Sequence, residues 1–355
     1  MILRMSKAFP SPNPKHSLSL EEMEASVNLL LDPLVSDESK GAFLTELHRR
    51  GERAGELAGF ASEILKGAVI PTIRRDENSP LLELCGTGGD HAGLLNISTA
   101  AMFVASGAGA RVVKHGNRAV SSKCGSADVL EALGVTLHLR PECVGDIVDQ
   151  AGCVFLLASD FHPAVAAVAA LRRSLASKGM MTIFNLLGPL LNPASPEVQL
   201  AGIYSPEKLN LYAEAMDILG RRAAWAVHGQ GISRDGGFDE ISLIGPSHVV
   251  SVRNRLMETF TINPKDFGLS QASSTQGLVG GDAKENAGRI TSILAGEEHG
   301  VARDMIILNA GAALFLAGIG SSLPESASLA AESIDSGGAA RSLESLRKAS
   351  EAARL

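Results

Sequence analysis

Strand-like and helical segments alternate from residue 80 onward, after about eighty residues of purely helical pattern. These two observations predict an α/β protein with a small all-helical N-terminal domain and a larger domain on a mostly parallel sheet. A third supports it: 355 residues suit two domains, since domains usually run to about 100–200 residues. The expected division is 1–79 and 80–355, with helices from about 178–220 as candidates for joining the first domain.

Ser19 and Glu22 have capping-box spacing ahead of Val27, Leu29, Leu30 and Leu31, which starts the first helix. A second helix over Asp37–Arg50 stops at Gly51, and a third over Glu52–Lys66 stops at Gly67, glycine being the usual residue past a helix end. From Pro80 the pattern changes. Leu81–Leu84 reads as a strand, followed by a glycine loop and a helix over Ser98–Ser106. Arg111–Lys114 is a second strand, with a loop and then a helix that ends at Gly134. Cys153–Ala158 is a buried strand, a helix follows Pro163, and Ala223–His228 is a further strand. Helices are expected over Ala283–Ala295 and Val301–Ala317, and the Ser-, Ala- and Glu-rich tail reads as a solvated helix.

Composition narrows the function. The 32 basic residues against 39 acidic ones leave a net charge of −7 with no basic block, unlike a surface that holds a nucleic-acid backbone. With only 11 Phe, 2 Tyr and 1 Trp, base-stacking platforms are not expected either. The longest apolar runs, such as Pro163–Leu171, fall well short of the ~18 residues a membrane span needs. Cys85, Cys124, Cys143 and Cys153 form no C-x-x-C pair and read as reduced thiols. The first sixteen residues carry Arg4, Lys7 and three prolines but no apolar signal core, so a loose arm and a cytoplasmic location are expected.

Glycine is the informative excess, at 37 residues. Gly86-Thr87-Gly88-Gly89-Asp90 directly follows a strand, at the end of an open sheet where ligands bind. Such a run lets backbone N–H groups approach an anion, although a tight strand-to-helix turn explains it equally well. Asp90 suits a ribose hydroxyl or a metal-bound water. Asn96-Ile97-Ser98-Thr99 opens a helix, where hydroxyls are ordinary caps but where the dipole also favours anions. The third loop, Lys114–Lys123, holds three cations, His115 and two serines, and Gly125-Ser126 then opens another helix. That donor density fits a diphosphate. Asp239-Glu240 follows a strand, and adjacent carboxylates suit magnesium when phosphate oxygens complete its shell.

Together these segments closely resemble the anthranilate phosphoribosyltransferase family of tryptophan biosynthesis. The resemblance rests on KHGNRAVSSKCGSADVLEALG at 114–134, GTGGD at 86–90, NIST at 96–99 and Phe161-His162-Pro163. It continues in TIFNLLGPLLNP at 182–193, Val227-His228-Gly229, Asp239-Glu240 and GGDAKENAGRITSILAGE at 280–297. It spans about residues 18 to 320. The family implies a nucleoside-phosphorylase-like α/β domain, a homodimer, and phosphoribosyl diphosphate and anthranilate as substrates, with Mg²⁺. By position, Gly86, Gly89, Asp90, Asn96, Ser98, Thr99, Lys114, Asn117, Arg118, Ser121, Ser122 and Ser126 would hold phosphoribosyl diphosphate. Ser98, Asp239 and Glu240 would serve Mg²⁺. Gly86, Asn117 and Arg172 would touch anthranilate, with His115, Gly188 and Pro189 lining its path, and Lys114, Asn117 and Arg172 would carry the catalysis. The chain departs from the family at His91, at Leu94-Leu95, and in longer links at Leu175–Met181 and Gly231–Gly236. These leave a different aromatic amine as the alternative acceptor. A nucleic-acid-binding, non-enzymatic relative is the weaker alternative, given the charge.

Overall fold

The computed structural model describes residues 8–90, 92–119, 123–231 and 236–355. His91, Ser121, Ser122, the first seven residues of the expected arm and most of the 231–236 link lie outside the described residues. The strands are β1 (Leu81–Gly86), β2 (Arg111–Gly116), β3 (Cys153–Leu157), β4 (Val198–Gly202), β5 (Ala223–Gln230), β6 (Gly237–Phe238), β7 (Ser247–Arg253) and β8 (Leu256–Ile262). They form one sheet in the order β3-β2-β1-β4-β5-β7-β8, with β6 beside β5. The first five run parallel, and β6, β7 and β8 pair antiparallel.

This order locates the crevice. From β1 the chain winds outward through β2 to β3, then returns to the opposite side of β1 as β4. The winding direction therefore reverses between β1 and β4, and open sheets bind ligands outside the carboxyl ends of the strands at such a reversal. The loops after β1, β2 and β4 all emerge there. β1, β3 and β4 are buried almost throughout, as strands covered on both faces must be.

The capping box at Ser19 and Glu22 is present, and the first three helices run Leu20–Leu31, Asp37–Arg50 and Ala54–Lys66. Their apolar faces share a core with Leu171, Ile183, Leu187 and Tyr212. The stretch 178–220 thus holds β4 as well as the helices Phe184–Leu187 and Leu209–Ile218. All four cysteines are free. Among the described residues no helix is long and apolar enough to cross a membrane.

The tail corrects the expectation of a solvated helix. It forms two helices, Leu323–Asp335 and Gly338–Ala352, whose Ala330, Ile334, Leu343 and Leu346 belong to the main core. The hydroxyls that made this segment look polar are turned inward. Ser333 Oγ donates to the Val104 carbonyl at 2.8 Å and Ser342 Oγ to Ser106 Oγ at 2.9 Å, so each satisfied hydroxyl behaves as a small core residue. The backbones approach closely enough that a Cβ on Gly107 would lie 2.5 Å from the Ala339 nitrogen. Gly107→Ala is expected to destabilise the protein by about 1–3 kcal/mol through overpacking. Gly288→Ala, on an exposed helical face with open space around it, should instead gain up to about 1 kcal/mol. Urea denaturation of the two variants checks the contrast.

Candidate active site

Beyond β6 the chain crosses the carboxyl ends of β1 and β4, and Asp239 lies directly on both. Its carboxylate accepts the Gly88 N–H at 2.6 Å, and its own N–H donates to Asp90 Oδ2 at 3.3 Å. A Cβ on Gly86 would overlap the Asp239 carboxylate, and one on Gly202 would overlap its carbonyl oxygen. Glycine at these strand ends is a requirement of close approach. The 86–90 loop is thereby fastened to a carboxylate about 150 residues away in sequence.

Glu240 extends the connection to the next helix, Ile97–Gly107. Asn96 occupies the cap position but makes no side-chain cap bond; Ser98 and Thr99 fall inside the first turn instead of capping it. Glu240 Oε1 accepts the Ser98 N–H at 3.1 Å, so this carboxylate sits at the positive end of the helix dipole. The Asn96 side chain donates to the Cys124 carbonyl at 3.2 Å and accepts from Asn286 Nδ2 at 3.0 Å. Beneath the crevice, Lys114 is almost fully buried. Its ammonium donates to the Leu84 carbonyl at 2.6 Å and to Ser98 Oγ at 3.1 Å.

The charges here are held against their preference. Burial, then the charges of Asp90 and Glu240, push the Asp239 carboxyl well above the usual range. Burial pushes Glu240 up to about 7, with Lys114 opposing it. Burial also lowers the Lys114 pKa, against the pull of the neighbouring carboxylates. Such crowding of oxygen donors fits a hard divalent cation. Among the described residues no three metal-ligating His, Cys, Asp or Glu side chains converge.

The end of β2, with His115, and the loop after it have a different character. His115 is buried and hydrogen-bonded to the Gly188 backbone, while its Nε2 has no partner. Its ring meets that of His162 edge-on, with centroids 5.2 Å apart. Burial, then His162, holds His115 neutral with a pKa of about 3. Asn117 Oδ1 accepts the Arg118 N–H at 2.8 Å, and Ser126 Oγ donates to the Asn117 carbonyl at 3.4 Å. Arg118 itself is bonded to Glu131 and Asp128. The Arg172 guanidinium stacks on the Phe184 ring at 5.1 Å. Burial depresses its pKa, and it has no acidic partner among the described residues. Gly188 is exposed, and the Pro189 carbonyl accepts from Gln199 at 2.6 Å. Thr99 is buried.

Two anchoring residues escaped the sequence reading. Asn286 donates to Asn96 and accepts the Gly281 N–H at 2.7 Å, joining the helix Ala283–Leu294 to the crevice. Asn309 brackets the peptide after Glu240, accepting the Ile241 N–H at 2.9 Å and donating to the Ile241 carbonyl at 3.0 Å. The signal for Asn309 was available: a single amide side chain in the apolar run Met305–Ala317 needs a buried partner.

Residues 78–340 match the glycosyl transferase family, a/b domain, and residues 13–68 match the helical bundle domain of the same family. The class is thus a glycosyl transferase of two parts. Anthranilate phosphoribosyltransferase of Rubrobacter xylanophilus is 45% identical over 92% of each chain. That of Methanocorpusculum labreanum is 42% identical over 93% of each. Among solved structures, anthranilate phosphoribosyltransferase from Thermus thermophilus superposes with a TM-score of 0.86 at 40% identity, covering 95% of this chain and 97% of that one. The Saccharomyces cerevisiae enzyme, in complex with PRPP and Mg, gives 0.83 at 29% identity, covering 94% of each. The chain belongs to the anthranilate phosphoribosyltransferase family.

The neutral His115 carries a pH signature. An unfolded histidine titrates near 6.5 and this one near 3, so between those values the unfolded chain binds more protons and stability rises with pH. The contribution is complete above about 6.5 and is lost as pH falls towards 3. His115→Asn should therefore lose about 1–3 kcal/mol less than the parent between pH ~6.5 and ~4, read from denaturation midpoints.

Proposed function

We propose that the protein transfers the phosphoribosyl group of phosphoribosyl diphosphate to anthranilate, releasing pyrophosphate, in tryptophan biosynthesis. The observation that carries this reading is the meeting of Asp239 and Glu240 with the 86–90 loop and the start of the helix Ile97–Gly107. Amide-rich turns at a helix start attract phosphate, whereas crowded, partly desolvated carboxylates favour a cation. A metal diphosphate satisfies both. PRPP and Mg in the yeast relative, and 4-fluoroanthranilate in another structure of it, support the same substrates.

Asp239 and Glu240, with Ser98 beside them, would hold Mg²⁺. When bound, the ion would offset charge on the departing diphosphate. Gly86, Gly89, Asp90, Asn96, Thr99 and Ser126, together with Ser121 and Ser122, are the proposed contacts to the sugar and its phosphates. Lys114 supplies positive charge from below and fixes Ser98, while Arg118 steadies its loop through Glu131. The anthranilate nitrogen forms a bond to the anomeric carbon as the carbon–oxygen bond to diphosphate breaks, and the proton the nitrogen sheds passes to the departing diphosphate or to water. An aromatic amine is neutral near pH 7 and needs no strong base, so orientation and charge placement carry the catalysis. Arg172, desolvated and without an acidic partner among the described residues, suits the acceptor carboxylate, with Asn117 and Gly86 nearby in the proposed pose. His115, Gly188 and Pro189 line the approach. The family resemblance favours a homodimer, and the four free cysteines fit a cytoplasmic setting.

Mixing the protein with Mg²⁺, phosphoribosyl diphosphate and anthranilate should make anthranilate fluorescence disappear; persistence of the signal would reject the reading. Arg172→Ala should raise the acceptor KM about tenfold or more by removing a charge-assisted pair, with the phosphoribosyl diphosphate KM little changed. Asp239→Asn should lower magnesium-dependent turnover by about 10², measured against magnesium concentration.

A further inference from the structure

The ladder between β1 and β2 stops early. Its paired residues are Leu81 with Arg111 and Leu82 with Val112, whereas β1 stays paired with β4 as far as Gly86 and Gly202. β2 likewise stays paired with β3 as far as Gly116 and Leu157. The two central strands therefore part over their last four residues, inside a sheet that is otherwise continuous on both sides. Backbone groups freed by the parting are taken by buried side chains, as low-dielectric surroundings require. Asn192 Nδ2 donates to the Val113 carbonyl at 2.8 Å, and Lys114 reaches the Leu84 carbonyl at 2.6 Å. Glu83 Oε1 accepts the His115 N–H at 3.2 Å.

Glu83 has a second connection. Its Oε2 accepts Gln199 Nε2 at 3.0 Å, and the same amide donates to the Pro189 carbonyl at 2.6 Å. Arg221 Nε closes the chain by donating to Gln199 Oε1 at 2.9 Å. Glu83 and Gln199 are fully buried and Arg221 nearly so, so each bond is made away from competing water. One carboxylate thus joins the end of β2, which bears His115, to the turn that bears Gly188 and Pro189. Burial pushes Glu83 up to about 7, and its ionised form accepts from both sides; a neutral amide at this position would present one acceptor and one donor at every pH.

We propose that Glu83 is a positioning residue for the acceptor, fixing the distance between the His115 end of β2 and the Gly188–Pro189 turn through Gln199. The inference rests on the acceptor path assigned above, and the parent protein in the same assay separates the two ideas. If the parent consumes no anthranilate, the functional reading fails; if only the variants below behave otherwise than stated, the positioning role fails.

The experiment measures both KM values, kcat and the melting temperature for Glu83→Gln, Glu83→Asp and Gln199→Met. It also follows hydrogen exchange of the peptide containing His115. Glu83→Gln and Gln199→Met should each raise the acceptor KM about tenfold, with the phosphoribosyl diphosphate KM within about twofold. Exchange at His115 should quicken in Glu83→Gln while peptides of β3 stay protected. Glu83→Asp, which keeps two acceptor oxygens, should recover part of the acceptor KM. An unchanged acceptor KM in both Glu83→Gln and Gln199→Met overturns the proposal. So does a uniform rise in exchange with both KM values moving together, because that pattern marks a merely structural role. If Glu83→Gln does not fold, Gln199→Met decides by the same criteria.

Discussion

Asp239 lies across the ends of β1 and β4 with no room for a side chain on Gly86 or Gly202. That close approach is the constraint on which the rest of the crevice depends. It brings a carboxylate from the far side of the sheet to the Gly88 amide. It also sets Glu240, the next residue, at the first turn of the helix Ile97–Gly107. The strand order places this junction where the winding of the sheet reverses, the position at which open sheets leave a crevice. Sheet topology and local chemistry therefore select the same place.

This arrangement carries an electrostatic cost. Asp239 and Glu240 are both half-buried and both raised in pKa, with Lys114 the cation directly beneath them. Such a cluster stabilises nothing by itself; a crowded carboxylate pair is tolerated because the surrounding fold fixes it. Asn309 holds the following peptide from the helix Val301–Ala317, and Asn286 holds Asn96 from another helix. The acceptor side is built on different principles. His115 is held neutral, Arg172 stacks on Phe184 and the Pro189 carbonyl is held by Gln199.

Much of this was legible in the sequence, for identifiable reasons. The strands before the Gly86–Asp90 and Lys114–Lys123 loops are short apolar runs, and the glycines and hydroxyls after them announce a change of role. β4 was not legible. Val198–Gly202 is five residues buried on both faces with Gln199 in its interior, so it shows neither alternation nor an unbroken apolar run. The β7–β8 hairpin was missed because its turn, Asn254-Arg255, adopts positive φ without glycine, removing the usual signal. The tail misled because its buried serines look like surface residues until their partners are known. Pairings such as Glu240 with Ser98 join residues 142 apart, and local pattern carries no trace of them. The parting of β1 from β2 was equally hidden, since it consists of missing ladder bonds.

Titration calorimetry with phosphoribosyl diphosphate, run once with Mg²⁺ and once with a chelator, tests the central claim most directly. The crowded carboxylates should repel the diphosphate when no cation lies between them, so affinity should fall at least about a hundredfold in the chelator. Equal affinity in the two titrations would contradict the account, because Asp239 and Glu240 would then have no cation to bind.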